Sequence, residues 1–121
     1  MTAPAPWPTE LRLRAGGRVL AVAFDDGSAY DISAELLRVL SPSAEVQGHG
    51  AAERQAVPGK RDVAILRVEP VGNYAVRLVF DDGHATGLYV WDYLAKLGRE
   101  QPSLTQDYLA DLARKGLSRD R

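Results

Sequence analysis

Val22-Ala23-Phe24-Asp25-Asp26-Gly27 returns 56 residues later as Leu78-Val79-Phe80-Asp81-Asp82-Gly83, so the chain uses one short structural unit twice. An alternating apolar run precedes each Phe, which is the period-two pattern of a half-buried strand. Each Asp-Asp-Gly predicts a turn, because glycine accepts a positive φ and aspartate can hydrogen-bond its own backbone. A second strand-like stretch and then a helix-like one follow each turn. The repeat therefore predicts two related antiparallel β-meanders, each followed by a short helix.

Chain length and composition shifts set the expected domain organisation. A chain of 121 residues is long enough for one domain with its own core, so we expect a single α+β domain over 9–116, with an additional C-terminal helix. A flexible lead-in at 1–8 and a tail at 117–121 flank it. The stretch 43–60 is rich in glycine and poor in large apolar residues, which predicts a long loop between the meanders, of the kind that carries function.

Capping signals locate the first two helices. Ser33 is placed to cap a helix from Ala34 to about Leu40, because its hydroxyl can accept a hydrogen bond from a free N–H of the first turn. The second helix is predicted over Trp91–Leu97. We expect it to end at Gly98, since glycine readily adopts the left-handed conformation after a last helical turn.

The C-terminal helix is predicted to open at Pro102-Ser103, with Ser103 and Gln106 in capping-box spacing. Its apolar stripe could pack on the domain or dock a partner, and we favour packing because apolar helix faces are normally core. This stripe consists of Leu104, Tyr108, Leu109 and Leu112. Residues 114–121 are expected to fray.

The charge balance and the absence of cysteine exclude several function classes. Fifteen Lys and Arg against 16 Asp and Glu give a net charge of −1, which provides no field to gather nucleic acid or an anionic membrane. We therefore expect neither as a partner. Without cysteine there is no disulfide, thiolate metal site or cysteine nucleophile, which suits a reducing compartment and predicts a cytoplasmic protein.

Acidic and histidine side chains provide the candidates for chemistry. The four carboxylates of the Asp-Asp-Gly segments could act in acid–base chemistry or bind a cation, but turn formation explains them better. The two histidines, His49 and His84, are 35 residues apart and belong to no short metal-binding motif. No nucleophile elbow or recognisable Ser-His-Asp arrangement is present, so we predict no catalytic site.

Two further clusters of residues have a structural interpretation as well as a functional one. Gly48-His49-Gly50 and Pro58-Gly59-Lys60-Arg61 have the composition of an anion site but lack the spacing of a phosphate loop. We interpret Lys60 and Arg61 as a solvated pair. The aromatic residues Tyr89, Trp91 and Tyr93 could line a pocket, although such clusters are more often core.

Three stretches of the chain carry a resemblance to a known family: 36–50, Phe80-Asp81-Asp82-Gly83-His84 and Tyr89-Val90-Trp91-Asp92-Tyr93-Leu94. With them, residues 9–98 resemble the DUF971 family, the domain found at the N-terminus of gamma-butyrobetaine hydroxylase-like oxygenases. The family also occurs as stand-alone bacterial proteins and fused to P-loop ATPases that carry iron–sulfur clusters. The resemblance therefore implies an accessory or docking role.

The same resemblance implies a structural zinc site and its loss in this chain. In the oxygenases, a Cys-x-Cys-x-x-Cys run and a later histidine hold the ion. Here Ser41, Ser43 and Val46 occupy the cysteine positions, and only His84 matches the fourth ligand. Hydroxyls and a valine cannot replace soft thiolate donors. The oxygenase active site lies in another domain, which the sequence does not contain.

Our leading hypothesis is a non-catalytic accessory or protein-interaction domain without a cofactor. It is expected to contact an unidentified protein partner through the 43–60 loop and the aromatic surface, with Gln47, His49, Trp91 and Tyr93 as the contact residues. The alternative is a metal-binding module in which His84, His49 and Glu45 hold iron or zinc. An enzyme acting alone ranks third.

Overall fold

The computed structural model describes residues 7–42 and 57–120, and the structural statements below refer to these residues. They form two three-stranded antiparallel sheets, in the orders β1-β2-β3 and β4-β5-β6. The strands are β1 (Pro8–Arg14), β2 (Val19–Phe24), β3 (Ala29–Ser33), β4 (Ile65–Val71), β5 (Ala75–Phe80) and β6 (Leu88–Val90). The α-helices are α1 (Ala34–Val39), α2 (Trp91–Arg99) and α3 (Gln101–Arg114). The predicted α+β fold with two meanders is confirmed.

The two Asp-Asp-Gly segments form the same turn in both meanders. In each, the phenylalanine N–H donates to the carbonyl oxygen four residues on, at 2.8 and 2.9 Å, and the glycine N–H donates back to the phenylalanine carbonyl at 3.1 Å. Gly27 and Gly83 have φ of +89° and +92°. The second aspartate accepts a hydrogen bond from the N–H two residues on, Ser28 at 2.9 Å and His84 at 3.0 Å. The turn prediction is therefore confirmed in detail.

One core joins the two meanders. In the first meander Leu20, Val22 and Phe24 point inward from β2, and in the second Val76, Leu78 and Phe80 do so from β5. The helices complete the core with Leu36, Leu37, Leu94, Leu97, Tyr108 and Leu112. The stripe of α3 thus packs within the domain, as predicted.

Glycine 98 has a different role from the predicted helix cap. It lies inside α2, which ends at Arg99, and its φ is not in the left-handed region. A Cβ at this position would stand 2.4 Å from Cγ of Tyr30 on β3. Position 98 needs a residue without a side chain, because the helix of the second meander packs directly on a side chain of the first. No local sequence pattern predicts this contact.

Three helix and strand ends test the capping signals. Ser33 caps α1 as predicted, since its hydroxyl accepts from the Leu36 N–H at 3.1 Å. The capping box of the last helix is wrong: α3 begins at Gln101, and Ser103 sits in its first turn and donates to the Glu100 carbonyl. The last strand, β6, is short and covers only Leu88–Val90.

The C-terminal tail is anchored, so the prediction that it frays is wrong. Backbone N–H groups of Gly59 and Arg61 donate to the carbonyls of Ser118 and Arg119 at 2.9 and 3.1 Å. The Arg119 guanidinium also reaches both carboxylate oxygens of Glu35 in the first turn of α1, at 2.9 and 2.5 Å. These contacts join residues far apart in sequence.

Candidate functional site

A buried polar pair lies where α1 ends. Ser41 follows the helix by two residues and has no exposed surface, and His84 follows the second Asp-Asp-Gly turn and is 9% exposed. The Ser41 Oγ and the His84 Nε2 are 2.9 Å apart, which is hydrogen-bond distance. The structure therefore brings together the two described residues that the family resemblance assigns to one site.

Gly87 and Tyr89 close this site from the second sheet. A Cβ on Gly87 would lie 2.2 Å from the Ser41 Oγ and 3.1 Å from the Cδ of Pro42. The Tyr89 hydroxyl donates to the Leu37 carbonyl at 2.5 Å. Burial raises the pKa of the Tyr89 phenol, and the hydrogen bond with Ser41 offsets this only in part. Gly87 and Tyr89 thus enclose the Ser41–His84 pair, and these contacts hold the end of α1 against β6.

The two described donors at this place, Ser41 and His84, do not by themselves make a zinc site. Ser41 offers a neutral hydroxyl and His84 an imidazole, and the two are hydrogen-bonded to each other. Stable zinc sites instead have four ligands, drawn from thiolates, imidazoles and carboxylates. Within 7–42 and 57–120, no group of three His, Cys, Asp or Glu side chains could hold a metal ion. Glu45, His49, Ser43, Val46 and Gln47 lie outside the described residues.

The distance between the Ser41 Oγ and the His84 Nε2 is also the distance expected between a serine nucleophile and its general base. A serine nucleophile must reach its substrate, and the Ser41 side chain is fully enclosed. The arrangement can therefore lock two elements together, and as it stands it presents no hydroxyl to a substrate.

Beside this pair lies a cluster of charges around Asp82. Its Oδ2 is 2.7 Å from the Arg38 Nε and 2.7 Å from the Lys60 Nζ, while its Oδ1 accepts from the His84 N–H. Burial by itself would raise the pKa of Asp82, but the hydrogen bonds from Lys60, from the His84 backbone and from Arg38 lower it to about 2. The interpretation of Lys60 as a solvated residue is wrong, because its side chain is only 21% exposed and binds the carboxylate of the turn.

A second candidate is an exposed apolar surface at one end of the second sheet. We call it the Trp7–Trp91 surface, and it consists of Trp7, Tyr74, Leu88, Val90 and Trp91. Four of these side chains are 38–52% exposed, and Trp91 is half-buried. The two indoles meet edge to face with centroids 6.1 Å apart. Leu88 and Val90 are alternate residues of β6, so their side chains lie on the same face of the sheet. Exposed large apolar side chains that cluster on a surface are typical of interaction sites.

Hydrogen bonds fix the Trp91 indole and the Trp7 backbone. The Trp91 Nε1 donates to the Asn73 carbonyl at 3.1 Å. The Trp7 backbone N–H donates to the Asp25 carboxylate at 3.0 Å, and the Asp25 backbone N–H donates to the Trp7 carbonyl at 2.8 Å. Trp7 thus belongs to the fold although it stands in the predicted lead-in. Its contact with Trp91 joins the two meanders, which no local pattern predicts.

A charged network continues this surface across the second sheet. In the strand register Glu69 stands opposite Arg77, and Arg77 stands opposite Leu88. The Glu69 carboxylate is 3.1 Å from the Arg67 Nε and 3.3 Å from the Arg77 Nε. Two guanidinium groups share one carboxylate, so these three side chains together carry one surplus positive charge.

Tyr93 faces a different part of the molecule from Trp91. Its hydroxyl donates to the Leu40 carbonyl at the end of α1, and its ring centroid is 6.1 Å from that of Tyr89. Tyr89 is fully buried. The core interpretation of the aromatic cluster is therefore right for Tyr89, while Tyr93 supports α1 and Trp91 supports the exposed surface.

Comparisons with known proteins agree on one family. A family model described as "Gamma-butyrobetaine hydroxylase-like, N-terminal" matches residues 11–95. Two NMR solution structures are 45% and 49% identical, each with a TM-score of 0.83, and the matches cover 97% and 98% of this chain and 92% and 90% of theirs. A crystal structure from Acidithiobacillus ferrooxidans, described as a DUF971 family protein of unknown function, is 41% identical with a TM-score of 0.63. That match covers 75% of this chain and 91% of the other.

A search of curated proteins gives no match. In the described part of the chain, every helix is too short or too polar to pass through a bilayer.

Proposed function

Since this chain belongs to the gamma-butyrobetaine hydroxylase-like N-terminal family, also called DUF971, we propose that it is a non-catalytic accessory domain that docks a protein partner in the cytoplasm. The Trp7–Trp91 surface is the observation that carries this proposal. A hydrogen bond holds the Trp91 indole, and the Trp7 indole meets it edge to face. Aromatic side chains that are held in this way lose little entropy when a partner covers them, so they supply binding energy efficiently.

The chemistry of the surface specifies the partner. Its apolar end offers Leu88 and Val90 from the edge strand β6 beside the two indoles. Its charged end has one surplus positive charge on Arg67 and Arg77. We therefore infer a partner segment that carries apolar side chains next to an acidic one, because opposite charges across an interface fix its register and speed association. The predicted contacts Gln47 and His49 would extend this interface.

The test uses a double variant that removes apolar side chains with large exposed areas. Tyr74→Ser with Leu88→Thr should leave the fold intact, because these side chains are 52% and 38% exposed. We expect it to weaken binding of the captured partner by at least about tenfold. Leu117→Ser is the matched control, since Leu117 is 40% exposed on the C-terminal tail, and it should bind like the wild type.

Two measurements decide the outcome. The affinity for the partner should be lower for the double variant than for the wild type and unchanged for the control. The affinity should also fall as the salt concentration rises, because screening weakens the contact with Arg67 and Arg77. Equal affinity of the wild type and the double variant for every captured partner would contradict the proposal.

The metal-binding alternative requires a different experiment. If His84, His49 and Glu45 hold iron or zinc, the purified protein should contain stoichiometric metal that disappears in His84→Ala, and chelation should lower its melting temperature. A metal-free wild type would remove this alternative.

A further inference from the structure

Two positively charged side chains, Arg38 and Lys60, share the single negative charge of Asp82. The Arg38 Nε and the Lys60 Nζ both lie 2.7 Å from the same oxygen, Oδ2. The side chains are largely enclosed, with exposed fractions of 13% for Arg38, 21% for Lys60 and 8% for Asp82. Among the described residues, one positive charge therefore remains without an acidic partner in a poorly hydrated place, which is unfavourable unless an anion joins it.

Arg38 also has an unused donor. Its Nη1 is buried and has no hydrogen-bond partner among the residues that the structure describes. Asp82 does not supply one, since its two oxygens bind Arg38 Nε, Lys60 and the His84 N–H instead. A buried donor of a charged group that lacks a partner is costly, and native structures contain few of them.

The first meander shows that the turn does not need these cations. Asp26 occupies the equivalent place, and its carboxylate is satisfied by the N–H and the hydroxyl of Ser28 at 2.9 and 2.5 Å. The two turns nevertheless have the same backbone hydrogen bonds. Arg38 and Lys60 are thus additions to a turn that forms without such partners.

We infer that Arg38 and Lys60 form a binding site for a small oxyanion, a carboxylate or phosphate group. The oxyanion enters beside Lys60, the most exposed of the three side chains, and accepts hydrogen bonds from the ammonium and guanidinium groups. Arginine and lysine bind both groups through charge-assisted hydrogen bonds. The site is separate from the Trp7–Trp91 surface and does not depend on the proposed function.

Anion titration of the isotope-labelled full-length protein tests this inference. Inorganic phosphate and acetate are added separately at constant ionic strength, and NMR follows the Arg38 Nε–H and His84 N–H signals. We expect saturable shifts of both signals below about 10 mM of at least one anion. Tighter binding of phosphate indicates a phosphate group as the ligand, whereas tighter binding of acetate indicates a carboxylate group.

Variants show whether the shifts belong to this site. Lys60→Met keeps the aliphatic stem and should weaken binding at least about tenfold, whereas Lys60→Arg should retain it. Lys96→Met, an exposed site on α2, is the matched control and should behave like the wild type. The inference is overturned if neither anion gives a saturable shift, or if Lys60→Met binds as well as the wild type.

Discussion

Asp26 and Asp82 occupy the same place in two superimposable turns but have different surroundings. Asp26 is exposed and bonded to Ser28, and these hydrogen bonds lower its pKa. Asp82 is enclosed by Lys60 and Arg38, whose hydrogen bonds outweigh its burial and lower its pKa to about 2. Because the backbone is the same, the difference between them arises from contacts with α1 and with the chain before β4.

Asp82 should therefore make stability depend on pH. Its folded pKa of about 2 lies below the ordinary 3.8, so its contribution is present above about pH 4 and is lost as the pH falls toward 2. Asp82→Asn should reduce the free energy of unfolding at pH 7 by about 1–2 kcal/mol after allowance for solvent screening. Denaturant unfolding at pH 7, 4 and 2.5 measures the difference, which should shrink toward the lowest pH.

Asp26→Asn is the matched control for this prediction. It removes the same charge from the equivalent turn, where no lysine or arginine in the described ranges contacts the carboxylate. We expect a smaller loss of stability at pH 7. If the two variants lost equal stability at every pH, the role assigned to Arg38 and Lys60 would be wrong.

At the scale of elements, the C-terminal tail acts as a clasp between α3 and α1. The helix ends at Arg114, and residues 118–120 return to pair with the chain at 59–61. The ion pair of Arg119 with Glu35 completes the clasp, and the Glu35 side chain is only 10% exposed. An enclosed carboxylate depends on its partner, because a single buried charge is costly.

Arg119→Met should consequently destabilise the protein by about 1–3 kcal/mol, since it leaves the Glu35 carboxylate enclosed without its guanidinium. Arg114→Met serves as the control, because Arg114 pairs with Asp111 on the helix surface and its side chain is 71% exposed. We expect no measurable change there. Urea unfolding at pH 7 compares the two, and a similar effect of both variants would refute the clasp.

At the scale of the whole molecule, each meander depends on the other. A Cβ on Gly17, in the turn between β1 and β2, would lie 2.3 Å from the Ile65 carbonyl oxygen on β4. The helix α2 of the second meander rests on Tyr30 of the first, and Tyr89 of the second bonds to α1. The repeats therefore share one core and are not two small domains.

A shared core predicts a single cooperative unfolding transition. Trp7→Phe leaves Trp91 as the reporter of the second meander, and Trp91→Phe leaves Trp7 as the reporter of the first. In each single-tryptophan variant, the midpoint from fluorescence should equal the midpoint from far-UV circular dichroism. Adding Leu20→Ala should lower the free energy of unfolding by about 2–4 kcal/mol, and both probes should report the same loss. Separate midpoints for the two probes would show independent units.

The repeated turn, the alternation of its strands and the Ser33 cap were predictable, because these features depend on residues within a few positions of one another. The family resemblance places Ser41 and His84 at one site, whereas the hydrogen bond between them is seen only in the structure. The charge cluster could not be predicted in this way, since Arg38 and Lys60 are 44 and 22 residues from Asp82 and no pattern links them.

The sequence by itself thus determined the two meanders, their turns and the helices that follow them. The tertiary structure alone decided that Gly98 admits Tyr30, that Arg119 reaches Glu35, and that Trp7 meets Trp91. The physical reason is range: hydrogen bonds in turns and caps close over neighbouring residues, whereas packing and ion pairing act between side chains whose proximity exists only after the two meanders have come together.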